Sequence, residues 1–305
     1  GYSEYRWSLK ILFIAFCTPF SINLEDLEIG GVGMYLPTEP LLAGMLILLI
    51  LKLLSGKSID RSILKHPISY VIYAYLIWMG LTSITSELPL VSFKFMATRM
   101  WFIASAYFIA AHIFSSLKNI RLFFLLYFFP LIAVIIYTII RHSQYGFDKD
   151  SAHWVMEPLF KDHTSYGAVL AMFFPIGIAL LMRKQMNTLL RVLTAIGFLI
   201  LTAGIILSYT RAAWISLIGA AGILVLMLLR IRLRTIIGVV GIAGLFTFLA
   251  WDDIQVSLES NKQESSDKLE EHVSSISNVS SDASNLERLN RWNCALEMFK
   301  ERPIL

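Results

Sequence analysis

The residues of this chain that could do chemistry are few, and their positions single them out. Ser208-Tyr209-Thr210-Arg211-Ala212-Ala213-Trp214 lies between two apolar runs, 193–207 and 215–229, with no polar loop separating them. An arginine costs roughly 2.5–3.5 kcal/mol at the centre of a membrane span and less near an interface. Arg211 therefore calls for a water-filled cavity, an anionic partner, or a path along which its side chain reaches the headgroups at a tight turn. A second arginine, Arg288, heads the apolar face of a predicted amphipathic helix over 285–300. At about 100° per residue, Arg288, Trp292, Ala295 and Phe299 share one stripe, flanked by Leu289 and Leu296. Glu287, Asn290, Glu297 and Glu301 fall off that stripe, so Glu287 is a poor partner for Arg288. Such a helix either lies across the outer surface of a bundle with one guanidinium turned inward, or is a surface helix whose arginine caps a neighbouring carbonyl. The chemistry in view is the holding of an anion.

Other polar residues are weaker signals. The connection 141–165 holds His142, His153, Trp154 and His163, but the histidine spacing matches no short metal-ligand motif, and no metal is expected. His163 reads as an interfacial hydrogen-bonding residue or a substrate contact. Lys94 and Arg99 sit at the start of a span, either as interfacial anchors or as outward charge for an anionic substrate. Asp252-Asp253 is a lone acidic couple beside a span end, as readily an interfacial turn as a site.

The elements that must position these residues are transmembrane helices. Hydrophobic residues make up 56% of the chain and charged ones 16%, with a mean hydropathy of +0.66. That composition excludes an ordinary soluble domain, and the net charge of +4 is a matter of loop topology, not of nucleic-acid binding. Two cysteines, one in an apolar run and one in a polar region, suggest neither a disulfide framework nor a metal cluster. Apolar runs predict nine spans, near 8–22, 38–54, 67–85, 95–114, 122–140, 166–182, 190–208, 212–229 and 235–251. Pro130 and Pro175 lie inside spans and predict kinks.

Lys and Arg recur in every second short connection, at Lys57, Arg61 and Lys65, at Lys118 and Arg121, at Arg183 and Lys184, and at Arg230, Arg232 and Arg234. The connection 23–37 carries Glu25, Asp26 and Glu28 and no basic residue. The bias places the N-terminus in the cytoplasm and the region after the ninth span outside. The predicted organisation is thus an all-α, polytopic transmembrane helical bundle over 1–251, followed by an outer-facing loop over 252–305. Within that loop, 252–284 is polar and aromatic-free, with Asn278-Val279-Ser280 a short glycosylation-like match that carries no weight. Ser284-Asn285-Leu286-Glu287 reads as a capping box opening the amphipathic helix, and Pro303 ends it.

With these residues in place, the chain resembles the O-antigen ligase and O-antigen polymerase superfamily of bacterial envelope glycosyltransferases. Ser208-Tyr-Thr-Arg211-Ala-Ala-Trp214 resembles the family's Ser-Arg-Gly-Ala-Trp signature, with Thr210 and Ala212 in place of the usual serine and glycine. Arg288-Leu-Asn-Arg-Trp292-Asn-Cys-Ala295, running on to Pro303, resembles the opening of its large periplasmic-loop signature, and His163-Thr-Ser-Tyr-Gly167 is similar to a weaker element. The resemblance implies a GT-C-like fold in the bacterial inner membrane, with the large loop periplasmic. It implies transfer of an undecaprenyl-pyrophosphate-linked glycan to a sugar hydroxyl, on lipid A–core in a ligase or on a carrier-linked glycan in a polymerase. Membrane lipids are expected partners, nucleic acid is not, and no cofactor is expected.

Departure of a lipid pyrophosphate develops negative charge, and the planar fork of arginine binds phosphate oxygens in pairs. Under the resemblance, Arg211 and Arg288 bind the pyrophosphate, while Tyr209, Thr210, His163 and Arg291 are accessory contacts. Tyr209 and Thr210 read equally well as packing at a span end. In the family the loop continues to a histidine, the expected general base, and then to further spans. This sequence has no counterpart to that histidine, so its C-terminal part is expected to be missing. The competing class is a transporter or flippase for an anionic lipid or small anion, with arginine lining a path; the absence of an evident repeat between halves speaks against it.

Overall fold

Hydropathy and end-capping together decide where the helices of this chain begin and stop. The computed structural model describes residues 2–24, 34–56, 60–184, 186–250 and 283–301. Its helices are α1 (Tyr2–Cys17), α2 (Thr38–Leu54), the single turn α3 (Arg61–Leu64), α4 (Pro67–Ile84), α5 (Pro89–Ile103), α6 (Ala110–Ile113), α7 (Leu117–Ser143), α8 (His163–Leu181), α9 (Thr188–Leu207), α10 (Arg211–Leu228), α11 (Leu233–Leu249) and α12 (Ala283–Glu301). A π-helical stretch, Ala104–Ile109, joins α5 to α6.

Each of the nine predicted spans overlaps a described helix, α5 and α6 together serving the fourth, but the first overruns α1 into β1 at Ile22. Among the described residues five helices, α4, α7, α8, α9 and α10, are by length and composition apolar enough to cross a membrane. The apolar stretches Trp7–Phe20 and Arg234–Leu249 are shorter. The protein is an all-α membrane protein with one small addition that the hydropathy pattern did not signal. Strands β1 (Ile22–Asn23) and β2 (Tyr35–Leu36) pair antiparallel, Ile22 opposite Leu36 and Asn23 opposite Tyr35.

Local chemistry sets the helix starts. Pro67 occupies the first position of α4, where its missing N–H costs nothing, and the His66 ring accepts the Ile68 N–H at 3.3 Å. The Asn187 side chain accepts from Leu189 N at 3.2 Å at the start of α9. Pro130 and Pro175 lie inside continuous helices, α7 and α8. The helix predicted over 285–300 spans Ala283–Glu301, so Ser284 falls inside its first turn and not at the cap. The acidic connection at Glu25, Asp26 and Glu28, Asp252-Asp253, the bulk of the polar stretch to 282 and Pro303 lie outside the described residues.

The chain gathers into two compact units, residues 1–137 with 156–161, and residues 138–155 with 162–304. In the first, α1 and α2 pack with the π-helical stretch and α6 around Ile11, Ile14, Leu42, Met45, Phe108 and Ile113. Tyr73 of α4 stacks on Phe108 with ring centroids 6.0 Å apart, and Tyr107 meets Ser69 across a 3.0 Å hydrogen bond.

In the second unit α8 packs against both α9 and α10. The buried face of α9 is Thr194, Gly197, Leu201, Gly204 and Ile205, a stripe at three- and four-residue steps in which two glycines admit close approach. Buried residues of α8 include Tyr166, Leu170, Phe173, Gly177 and Leu180. Lipid gives no hydrophobic drive between helices, so van der Waals fit along such stripes is what holds them together. This packing brings the start of α8, the end of α9 and the start of α10 to one end of the unit.

Candidate functional site: a cationic turn at two helix starts

The segment 208–214 is a sharp helix-to-helix turn whose geometry each of its residues helps to fix. Ser208 follows the last residue of α9; its buried hydroxyl donates to the Ile205 carbonyl at 2.8 Å. Tyr209 takes a left-handed backbone with φ of 47°, which reverses the chain in one residue. Thr210 is the cap of α10, and its hydroxyl lies 2.9 Å from the His163 carbonyl and 3.1 Å from that of Ser208. Trp214 then ties the first turn of α10 back to α9, its indole N–H donating to the Ile205 carbonyl at 3.0 Å.

Arg211 is therefore the first residue of α10, and it is half-buried. A helix start carries a partial positive charge and exposed N–H groups, so a cation placed there is disfavoured unless an anion is nearby. A second helix start lies beside it. His163 opens α8, Asp162 caps that helix by accepting the Ser165 N–H at 2.7 Å, and Thr210 bridges the two starts through the His163 carbonyl. Two helix N-termini and a guanidinium thus share one locality, an arrangement suited to an anion with several oxygens.

A close approach that sequence reading missed makes this possible. Gly167 faces Thr210 so tightly that a Cβ on the glycine would lie 2.6 Å from both the Cβ and the Oγ1 of Thr210. The available signal was weak: a glycine one turn beyond His163 near the start of an apolar helix.

The loop between α7 and α8 braces the same turn. The Tyr209 hydroxyl donates to the Phe147 carbonyl at 3.1 Å. Buried His142 has its Nε2 2.8 Å from the Asp148 carbonyl oxygen and its ring edge-on to both Phe147 and Tyr209, at 5.3 and 6.3 Å. Asp148 accepts from the Ser151 hydroxyl and backbone N–H, and these bonds hold its carboxyl below the usual range. Arg141 lies over the Trp154 ring at 5.5 Å, and Trp154 meets Tyr145 edge-on at 4.8 Å. The rings of His153 and His163 are 4.1 Å apart, and burial, followed by the charge of Lys149, pushes the His153 pKa down.

Of the predicted site residues, the structure brings together His163, Tyr209, Thr210 and Arg211. Arg288 and Arg291 lie on α12, whose side chains from Leu286 to Glu301 are all exposed. Glu287 pairs with Arg291 one turn on and leaves Arg288 outside that pair. The apolar stripe predicted for this helix is uncovered, with Trp292 73% and Phe299 62% exposed.

Fold and site together define a helical membrane protein with a braced cationic turn. Residues 196–305, which include both the turn and α12, match the family described as O-antigen ligase. The match supports the O-antigen ligase and polymerase superfamily for this chain, and with it a role in glycan transfer during O-antigen assembly. No curated protein and no solved structure matches the chain.

Two consequences are measurable. Gly167→Ala drives a methyl group into Thr210, and overpacking of this kind typically costs about 1–3 kcal/mol; thermal unfolding in detergent shows the loss. The same substitution in a Thr210→Gly background meets no side chain and costs much less, and equal costs in both backgrounds would refute the contact. His153 has a folded-state pKa below its ordinary value, so the fold favours its neutral form. Its contribution to stability is present above pH about 6.5 and is lost as pH falls through that value and then through the lowered folded pKa. The wild type should therefore lose more stability between pH 8 and pH 5 than His153→Gln does.

Proposed function

We propose that this protein transfers a glycan from an undecaprenyl-pyrophosphate carrier to a sugar hydroxyl at the periplasmic face of the bacterial inner membrane, with Arg211 and Arg288 binding the pyrophosphate. The observation that carries the reading is Arg211 itself: a half-buried arginine at one helix start, which Thr210 bridges to a second, inside the segment that matches the O-antigen ligase family. Helix-start N–H groups and a guanidinium in one locality favour an anion with several oxygens. A leaving pyrophosphate gathers charge in the transition state, and donors already aimed at it lower the barrier without reorganising. Thr210 and Tyr209 act chiefly by fixing the turn, since both hydroxyls meet backbone carbonyls.

Arg288 enters from α12. Its apolar stripe of Leu289, Trp292, Leu296 and Phe299 is the face with which the helix docks, each such side chain being worth about 1.5–3 kcal/mol on full burial. Docking by that face turns Arg288 inward with it, while Arg291, paired to Glu287, stays at the edge. The acceptor is lipid A–core in a ligase or a carrier-linked repeat in a polymerase. The arginines supply the positive charge that a metal would otherwise provide, and a general base accepts the acceptor's proton.

The test uses the full-length chain in cells lacking their own enzyme, with surface lipopolysaccharide ladders read at matched expression. Arg211→Lys and Arg288→Lys keep the charge but lose the fork. Losing a charged, paired hydrogen bond worth about 1.5–3 kcal/mol slows transfer by roughly 10- to 100-fold. Wild-type rates in both variants would refute the clamp. A single repeat left on the core in the alanine variants marks a polymerase, and loss of all attached glycan marks a ligase. Chelator added to a membrane assay leaves the rate unchanged, and a chelator-sensitive rate restored by divalent cation would refute metal independence.

A further inference from the structure

The first unit holds a feature that glycan transfer does not use. Trp7 near the start of α1 meets Lys52 near the end of α2, and the β1–β2 ribbon joins the helices at their other ends, so α1 and α2 run antiparallel. Between them lies an open groove of about 360 Å³. Its walls are apolar, with Phe13 and Ile14 on α1 and Leu41, Met45 and Leu48 on α2. Gly44 lies in its wall, and a Cβ placed there would meet nothing within 4 Å. On α2 the lining runs from Pro40 to Leu48, which at about 1.5 Å per residue is roughly 12 Å, within the half-thickness of a hydrocarbon core of about 30 Å. The groove has the length of one leaflet's acyl chain.

Its charge lies at one end. Lys10 lines the groove, and its ammonium sits 5.2 Å from the centre of the Trp7 ring; that of Lys52 sits 5.6 Å from the same ring. Among the described residues neither lysine forms an ion pair. Two ammonium groups gathered on one indole repel each other, and an anion between them removes that repulsion while both keep their contact with the ring. An apolar slot most of a leaflet deep, with Lys10 at one end and Lys52 beside the same indole, is complementary to a lipid whose phosphate sits at the interface and whose chain runs into the bilayer.

We infer that the α1–α2 groove is a binding site for an anionic glycerophospholipid of the surrounding bilayer, one chain lying in the groove and the phosphate held by Lys10 and Lys52. The site lies within the first unit and does not depend on the glycan-transfer reading.

The experiment mixes the full chain, purified in mild detergent, with equal amounts of phosphatidylglycerol and phosphatidylcholine carrying identical chains. Retained lipid is counted by native mass spectrometry. The wild type retains phosphatidylglycerol over phosphatidylcholine by on the order of tenfold, since each lysine beside an anionic headgroup contributes several-fold. Lys10→Ala with Lys52→Ala brings the two lipids to parity, whereas the double arginine variant keeps the preference, which separates lost charge from lost folding. Gly44→Leu fills the groove and lowers retention of both lipids while helical content, read by circular dichroism, stays unchanged. Parity in the wild type, or an undiminished preference in the alanine variant, would mean a general lipid contact only and overturn the site. Unchanged retention in Gly44→Leu would place the chain elsewhere and overturn the groove.

Discussion

A cation at the positive end of a helix is the constraint around which the second unit is arranged. Arg211 opens α10, and α8 begins beside it, so two helix starts and a guanidinium share one end of the packed helices. Cationic groups at helix starts disfavour one another by a few tenths to about 1 kcal/mol when exposed and up to about 2 when partly buried, and the Asp162 carboxylate capping α8 offsets part of that. The surrounding structure fixes the arrangement. Ser208 and Trp214 both donate to the single carbonyl of Ile205, Tyr209 adopts a left-handed backbone, and Thr210 bridges to His163. Close packing at Gly167 lets that bridge form at all. A strained, well-braced and cationic turn is what an anion-binding site built for developing charge requires, because its donors are aimed before the charge arrives.

The helices were legible in the sequence because hydropathy is a long-range, additive signal. Each apolar run overlaps a described helix, and the amphipathic pattern at 285–300 lies within α12. Where crossing the membrane demands both length and apolarity, the signal is more selective, and five helices meet it. The β1–β2 ribbon was not legible. Two residues in each strand leave no alternation to read, and the pairing depends on α1 and α2 holding the strands together. The breaks at α3 and α6 escaped for a similar reason, since a four-residue helix has too few positions to show a period.

The site was legible in its residue types and illegible in its contacts. Arg211 announced itself by cost, and the resemblance of 208–214 and 163–167 to elements of one family named both partners of the turn. Their bond through Thr210 joins residues 47 positions apart, a pairing that no local pattern encodes. His142 shows the same limit. In the sequence it is one of three histidines in the connection 141–165, yet it is buried, with its ring edge-on to Phe147 and Tyr209 and its Nε2 against the Asp148 carbonyl. The loop between α7 and α8 thereby becomes part of the support for the turn, a role that spacing could not reveal.

The two arginines proposed for pyrophosphate differ in how they are held, and the difference has chemical content. Arg211 is fixed by its turn, at the start of a packed helix. Arg288 rides on a helix whose apolar stripe is exposed and whose neighbouring charge, Arg291, is already neutralised within the helix by Glu287. A site with both cations fixed in place would carry their mutual repulsion whenever it stood empty. A site that keeps one arginine fixed and delivers the other by docking an apolar face meets the second charge only when an anion is there to receive it. The exposed tryptophan and phenylalanine of α12 would then supply the free energy that brings Arg288 in, and the pyrophosphate the free energy that keeps it there. Under that proposal, specificity would follow from the same division of labour, since an anion with too few oxygens would satisfy the fixed arginine alone and leave the apolar helix undocked.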